Sequence, residues 1–351
     1  MKKVLNTIIV CTLFALGLAA FIMPQFNIIA VAIVLFTLGL LMIIKGGDVF
    51  VDAAANIAKA LKIPSFIIGA TIVSVATTLP ELLVSVMAAA EGSVDMAVGN
   101  AVGSVTANTA LILAISMMAM PIICERKKNF LQIALLLAAT ATLTVGCLTG
   151  ALSIAASIVL AVIFVTFMTF NVISGSKQSK ELKTEGDEPV DKKHLFLQIV
   201  LFVVGAFALA GGSRFMVNYG TFIAGYFGVS ELIISLTIIA IGTSLPELVT
   251  TITAIAKKET NLSVGNIIGA NIIDITLILP ICSLVAGKQL PINPRSVVID
   301  LPVCLLVTMV AFVPLLIRQK AAKAQGVSMI VLYAAYIAVV VLCEVGVIAL
   351  V

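Results

Sequence analysis

Eleven runs of about twenty apolar residues succeed one another along this chain, and they decide most of what it can become. They lie at roughly 4–24, 28–50, 65–90, 96–120, 130–149, 151–174, 195–212, 230–256, 262–286, 297–317 and 327–350. A helix needs about 20 apolar residues to cross a bilayer. The runs are too long for barrel strands and do not alternate in polarity, so each reads as a membrane-spanning helix. Composition closes the soluble alternatives: 61% of the residues are hydrophobic and 11% are charged, whereas a soluble domain carries about 25% charged residues. No soluble globule could hide so much apolar surface behind a polar skin. The net charge of +4 sits in short loops, so no nucleic-acid partner is expected. The six cysteines form no C-x-x-C pair and read as packing residues. His194 is the single histidine, which leaves little room for histidine-based chemistry.

Positive charge fixes an expected orientation. With the N-terminus in the cytoplasm, 18 of the 21 Lys and Arg residues fall inside. Only Arg214, Lys288 and Arg295 fall outside, and the C-terminus is then extracytoplasmic. Residues 1–25 have the basic start and apolar run of a signal peptide. The run is long for that role, so a retained extra helix is expected. Residues 175–194, with five lysines and five acids, read as a flexible cytoplasmic linker between a first half at 26–174 and a second at 195–351.

The halves are related. A shift of 166 residues aligns 68–113 with 234–279 without a gap and gives 17 identities in 46 positions. The aligned pairs include Thr77/Thr243, Leu79-Pro80-Glu81/Leu245-Pro246-Glu247, Gly99-Asn100/Gly265-Asn266 and Gly103/Gly269. The expected topology sends the first copy outward and the second inward. Inverted repeats are a habit of secondary transporters, which place their site where the repeats meet. Channels can carry them too, so the pattern alone leaves both open.

The sharpest chemical signal is acid in mid-span. Glu81, Glu247 and Asp274 each interrupt an apolar run. An Asp at a helix centre costs roughly 2.5–3.5 kcal/mol on insertion, so compensation is expected. No Lys or Arg stands at matching depth, and a bound cation is the natural counter-charge. Thr77 and Glu81 share a helix face at i,i+4, as do Thr243 and Glu247. Ser74 and Ala240 lie seven residues before the glutamates on the same face. Pro80 and Pro246 remove an N–H each and should break their helices there, freeing carbonyls at Ala76 and Gly242. On the following span Asn100, Ser104 and Asn108 recur every four residues, and Asn266, Ala270 and Asp274 repeat the register. Gly99, Gly103, Gly265 and Gly269 should let helices approach closely. Asp300 and Glu344 lie near span ends and read as interfacial. Every candidate ligand offers oxygen, which suits hard cations such as Ca²⁺ and Na⁺. No nucleotide-binding motif and no catalytic pair accompanies them, so neither a cofactor nor an enzyme activity is expected.

At these residues the sequence resembles the sodium/calcium exchanger family of cation/Ca²⁺ antiporters. Its two copies look like that family's repeats, G-T-S-L-P-E followed by G-N-x-x-G-S-N, over nearly the whole chain from about residue 28. The resemblance implies an all-α polytopic membrane protein of two inverted five-helix repeats, ten core transmembrane helices, with the span at 4–24 as an addition. It implies exchange of Ca²⁺ for Na⁺ across the inner (cytoplasmic) membrane by a monomer. By the same resemblance Glu81 and Glu247 would be shared Ca²⁺ and Na⁺ ligands, and Thr77 and Thr243 would complete the Ca²⁺ site. The carbonyls of Ser74 and Ala240, with Thr78, Ser244 and Ser104, would belong to flanking Na⁺ sites. Asn108 and Asp274 would form a central polar pair. Ala76, Thr78, Val105 and Ala270 depart from the family pattern, and the missing hydroxyl at Ala270 puts one Na⁺ site in doubt. A Ca²⁺/H⁺ antiporter on the same scaffold is the main alternative, since a desolvated glutamate can hold a proton; a passive cation channel is the other.

Overall fold

The computed structural model describes residues 2–90, 92, 94–182, 191–228, 242, 244–287, 289–344 and 347. Among them, helices occupy all eleven expected runs. They are α1 (Lys2–Ile22), α2 (Ile29–Leu61), α3 (Ser65–Ala90), α4 (Val94–Ala119), α5 (Arg126–Gly146), α6 (Ile154–Leu182), α7 (Lys192–Tyr226), α8 (Leu245–Ala256), α9 (Thr260–Ala286), α10 (Ser296–Arg318) and α11 (Lys323–Glu344). Nine of them are long and apolar enough to cross a membrane. The apolar stretch Val10–Ile22 of α1 and helix α8 are shorter. Of the eighth run, 230–256, the part before 242 lies outside the described residues. The chain is an all-α, multi-pass membrane protein. Ile158, Val162, Val165 and Val172 on α6 stay exposed, as expected of side chains that face lipid.

Two helices outrun the sequence reading. α2 has 33 residues and α7 has 35, about 50 Å each at 1.5 Å per residue. That exceeds the roughly 30 Å hydrocarbon layer. The apolar pattern fades after residues 50 and 212, but Ala-rich turns continue α2 and turns carrying Phe215, Tyr219, Phe222 and Tyr226 continue α7. α2 stops at Lys62, whose left-handed backbone (φ 54°) returns its N–H to Ala58 and Lys59 carbonyls. The polar stretch after 174 also begins as helix, since α6 runs on to Leu182. Ser179 Oγ donates there to the Leu61 carbonyl at 2.6 Å. Asp191 then caps α7 through the backbone N–H groups of Lys193 and His194.

The chain divides into two compact units that do not follow the two sequence halves. The first holds residues 1–69 and 174–263. Its core is α2 against α7, packed backbone to backbone. A Cβ on Gly212 would lie 2.7 Å from the Gly39 carbonyl oxygen, and one on Gly39 would lie 2.8 Å from that of Gly212. Phe50 stacks on Phe202 with ring centroids 4.4 Å apart. α1 joins the same unit: its Leu13 and Ala20 are buried, Phe14 meets Phe207 edge-on, and Arg214 lies over the Phe21 ring at 5.3 Å. At the ends of α2 and α8, Lys257 Nζ pairs with Asp52 at 2.8 Å.

The second unit holds residues 70–173 and 264–351. α4 and α9 are its most enclosed spans. Its apolar core includes Ala97, Ala101, Val105, Leu143, Leu160, Ile275, Ile278, Leu279 and Cys304. A two-residue antiparallel pairing of β1 (Ala151–Leu152) with β2 (Leu290–Pro291) ties two loops together. α10 opens with a π-helical turn, Ser296–Asp300. Asp300 is not interfacial as expected but 5% exposed. Ser296 Oγ donates to its Oδ2 at 2.7 Å, Tyr336 donates to its Oδ1 at 3.0 Å, and Arg295 Nε lies 3.7 Å away. Partners remote in sequence allow that burial.

Pro314 inside α10 cannot donate to the Val310 carbonyl. Gln325 at the start of α11 supplies the missing donor: its Nε2 lies 2.8 Å from Val310 O and 2.7 Å from Ala311 O. Gln325→Leu should therefore cost about 1–3 kcal/mol. It should lower the thermal unfolding midpoint of the detergent-solubilised protein by a few degrees. An unchanged midpoint would show that this bond does not hold α11 to α10.

Candidate ion-binding site

In the second unit the first-copy motif begins just after a π-helical turn, Gly69–Val73. The following helical segment, Ser74–Ala90, runs through Pro80 without a break. The expected interruption at the proline is absent, and a π-helical turn stands upstream of it instead. Pro80 still leaves the Ala76 carbonyl without its usual donor. Side chains then converge on one backbone oxygen. Thr78 Oγ1 donates to the Ser74 carbonyl at 2.7 Å and Thr77 Oγ1 approaches it at 3.3 Å. Ser74 Oγ itself turns back to the Thr71 carbonyl at 3.0 Å. Thr77 Oγ1 also lies 3.3 Å from Asn266 Oδ1 on α9.

Glu81 is 1% exposed, one turn beyond Thr77. Its backbone carbonyl accepts from Asn100 Nδ2 at 3.3 Å, and the same amide reaches Ser85 Oγ at 2.9 Å. Asn100 therefore braces α4 against α3, and its geometry fits the packing reading of that residue. Asn108 and Asp274 occupy matching places: each is the first residue of a π-helical turn, Asn108–Leu113 in α4 and Asp274–Ile278 in α9. Such turns recur at functional sites, and nothing in the amino-acid pattern announced them. Asn108 is 1% and Asp274 0% exposed. Among the described residues, Asn108 Oδ1 and Ser104 Oγ are buried with no hydrogen-bond partner. Buried oxygens of that kind are what a dehydrated cation needs.

A Cβ on Gly269 would lie 2.6 Å from the Ala70 carbonyl oxygen and 2.7 Å from Ser74 Cβ, and would also strike Ser74 Oγ. Gly269 is thus a true close-approach residue between α9 and the π turn of α3. The positions that the repeat sets against Gly103 in the same way, 236 and 240, lie outside the described residues.

In the first unit the second-copy motif opens α8. Ser244 precedes the helix, Pro246 stands in its first turn where a missing N–H costs nothing, and Glu247 follows. The second proline thus lies in the first turn of a helix, and the residues that a break would part from it, before 242 and at 243, lie outside the described ones. Glu247 is 1% exposed, and its place at a helix N-terminus favours a negative charge. Ser244 is 3% exposed, and its Oγ has no partner among the described residues. Thr250 Oγ1 donates to the Pro246 carbonyl at 2.8 Å. Ser213 Oγ on α7 donates to the carbonyl of Gly242, the one expected to be freed by Pro246. Thr243 and Ala240 lie outside the described residues.

Among the described residues, no three His, Cys, Asp or Glu side chains cluster to hold a metal ion. An ion bound here would draw most of its oxygens from hydroxyls, amides and carbonyls. That donor set suits a hard cation.

The family described as "Sodium/calcium exchanger protein" matches residues 31–173 and 197–342. The chain is 33% identical over 312 residues to the inner membrane protein YrbG of Escherichia coli, covering 85% of this chain and 93% of that protein. It is 25% identical to the sodium/calcium exchanger MaX1 of Methanosarcina acetivorans, over 89% of this chain and 99% of the relative. The solved structure of the sodium-calcium exchanger NCX_Mj soaked with 10 mM Na⁺ and zero Ca²⁺ matches with a TM-score of 0.77 at 28% identity, over 89% of this chain and 99% of that one.

Proposed function

This chain belongs to the sodium/calcium exchanger protein family, and from that premise we propose that it is a secondary antiporter that exports Ca²⁺ from the cell in exchange for Na⁺ by alternating access. The observation that carries the reading is a buried glutamate in each copy of one motif, Glu81 and Glu247, each 1% exposed in a membrane span. Two carboxylates neutralise one Ca²⁺ or two Na⁺, so ions that share them compete, and competition for one site is the physical basis of exchange. Thr77, Thr78, Ser74, Ser104, Asn108 and Asp274 supply neutral and acidic oxygens from α3, α4 and α9. Ser244, Thr243 and Ala240 supply them from the second motif. The reading includes two inverted five-helix repeats, a cytoplasmic N-terminus and an extracytoplasmic C-terminus in the inner membrane.

One observation favours a second reading. Ala270 is fully buried where the family pattern has a serine, so the hydroxyl that one Na⁺ would use is replaced by a methyl. A Ca²⁺/H⁺ antiporter needs no such oxygen.

Uptake of radioactive Ca²⁺ into proteoliposomes separates the readings. Na⁺-loaded vesicles should take up Ca²⁺, and K⁺-loaded vesicles should not. Uptake driven only by a pH jump would replace Na⁺ by H⁺ as the coupling ion. Uptake that needs no counter-ion would make the protein a channel.

A further inference from the structure

Asn271 sits on α9 three residues before Asp274, and Thr109 sits on α4 directly after Asn108. Asn271 Nδ2 donates to Thr109 Oγ1 at 2.8 Å, and both residues are 0% exposed. This bond joins the two central spans at the point where both change from α- to π-helical winding. Neither residue stands among the candidate ion ligands. We propose that Asn271 is a positioning residue for ion binding: tied to Thr109, it holds the Asn108 turn in register with the Asp274 turn. The inference rests on the reading above that Asn108 and Asp274 line the ion path.

Three observations support it. First, π turns are locally weak, because each i→i+5 bond replaces the better-aligned i→i+4 bond. A residue at the start of such a turn needs an outside hold to keep one position, and Thr109 has one on Asn271. Second, the bond is made once although the repeat offers two places for it. The shift of 166 carries Asn271 onto Val105 and Thr109 onto Ile275. Val105 and Ile275 are both 0% exposed and belong to one apolar core. The mirror position is thus sealed by packing, which has no directional preference, and only the Asn271–Thr109 position carries a directional tether. Third, an asparagine kept for packing alone would satisfy both ends of its amide. Asn271 Oδ1 is buried with no hydrogen-bond partner among the described residues. That burial is a cost, tolerated beside a site that handles cations and water.

The test compares Asn271→Val, Thr109→Val, the double variant and Thr109→Ser with wild type and Glu81→Gln. The readout is initial Ca²⁺ uptake into Na⁺-loaded proteoliposomes as a function of Ca²⁺ concentration, with a thermal unfolding midpoint for each purified protein. Each Val variant should raise KM for Ca²⁺ about two- to tenfold, the equivalent of one net hydrogen bond, with the maximal rate nearly unchanged. The double variant should be no worse than either single one, since both remove one bond. Thr109→Ser keeps the hydroxyl and should behave as wild type. Val variants with wild-type KM, or effects that add, would overturn the tether, as would a lowered unfolding midpoint with no change in KM. Should a Val variant fail to fold, Thr109→Ser decides: a raised KM there would also overturn it. Wild type without Na⁺-dependent uptake, or Glu81→Gln transporting normally, would instead remove the exchanger reading, and the tether's role in ion binding with it.

Discussion

A Glu81→Gln protein is expected to fold, to insert and to carry almost no Ca²⁺. The side chain is 1% exposed in a span with no Lys or Arg at matching depth. Glutamine keeps the shape and hydrogen-bonding reach of the side chain and removes only the charge. Removing one partner from a buried ion pair costs about 3–5 kcal/mol, which is about two to four orders of magnitude in affinity. Transport at Ca²⁺ concentrations near the wild-type KM should fall accordingly. Glu247→Gln should do the same, because it removes the buried carboxylate of the second motif. Stability should move the other way. A buried carboxylate without its ion is a liability, so the ion-free Gln variants should unfold at or above the wild-type temperature. Wild type should gain stability on adding Ca²⁺, by about 2.7 kcal/mol at 100 times its Kd, and the Gln variants should gain nothing. Nanomolar to millimolar Ca²⁺ titrations followed by thermal unfolding would check both statements without any transport assay. A Gln variant that keeps the Ca²⁺-dependent shift would place the ion elsewhere.

Both glutamates could be read from sequence because a charge inside an apolar run is costly and therefore informative. The spans were legible for the same reason: a run of about twenty apolar residues admits few other fates in a membrane. What escaped the sequence reading is hydrogen-bond register. Asn108 and Asp274 were singled out as polar residues on one helix face, yet the π turns that begin at them leave no trace in composition or spacing. Pro80 was legible as a helix breaker, yet the helix runs through it, and the π turn at Gly69–Val73 is a site no local rule selects. Asp300 looked interfacial because its partner Tyr336 lies 36 residues away on another helix. Asn271 is not among the candidate ligands that the sequence offers. Its contact with Thr109, 162 residues away, became visible once the two spans were seen side by side.

Gly269 is a glycine of the repeat whose close approach the described residues show. At Gly269 an added methyl would lie 2.6 Å from a backbone oxygen, that of Ala70, and also press on Ser74. Neither can give way cheaply. The Ala70 carbonyl belongs to the π turn, and the Ser74 carbonyl accepts two threonine hydroxyls at 2.7 and 3.3 Å. Overpacking of this kind costs about 1–3 kcal/mol. The displaced group is Ser74, whose carbonyl is a proposed Na⁺ ligand. Gly269→Ala should therefore lower the unfolding midpoint and also raise the Na⁺ concentration needed for half-maximal Ca²⁺ uptake. Gly269→Val, with two further methyl groups, should give no folded protein. A silent Gly269→Ala would mean that the contact of α9 with Ser74 is looser than its geometry requires, and would remove Ser74 from the set of positioned ion ligands.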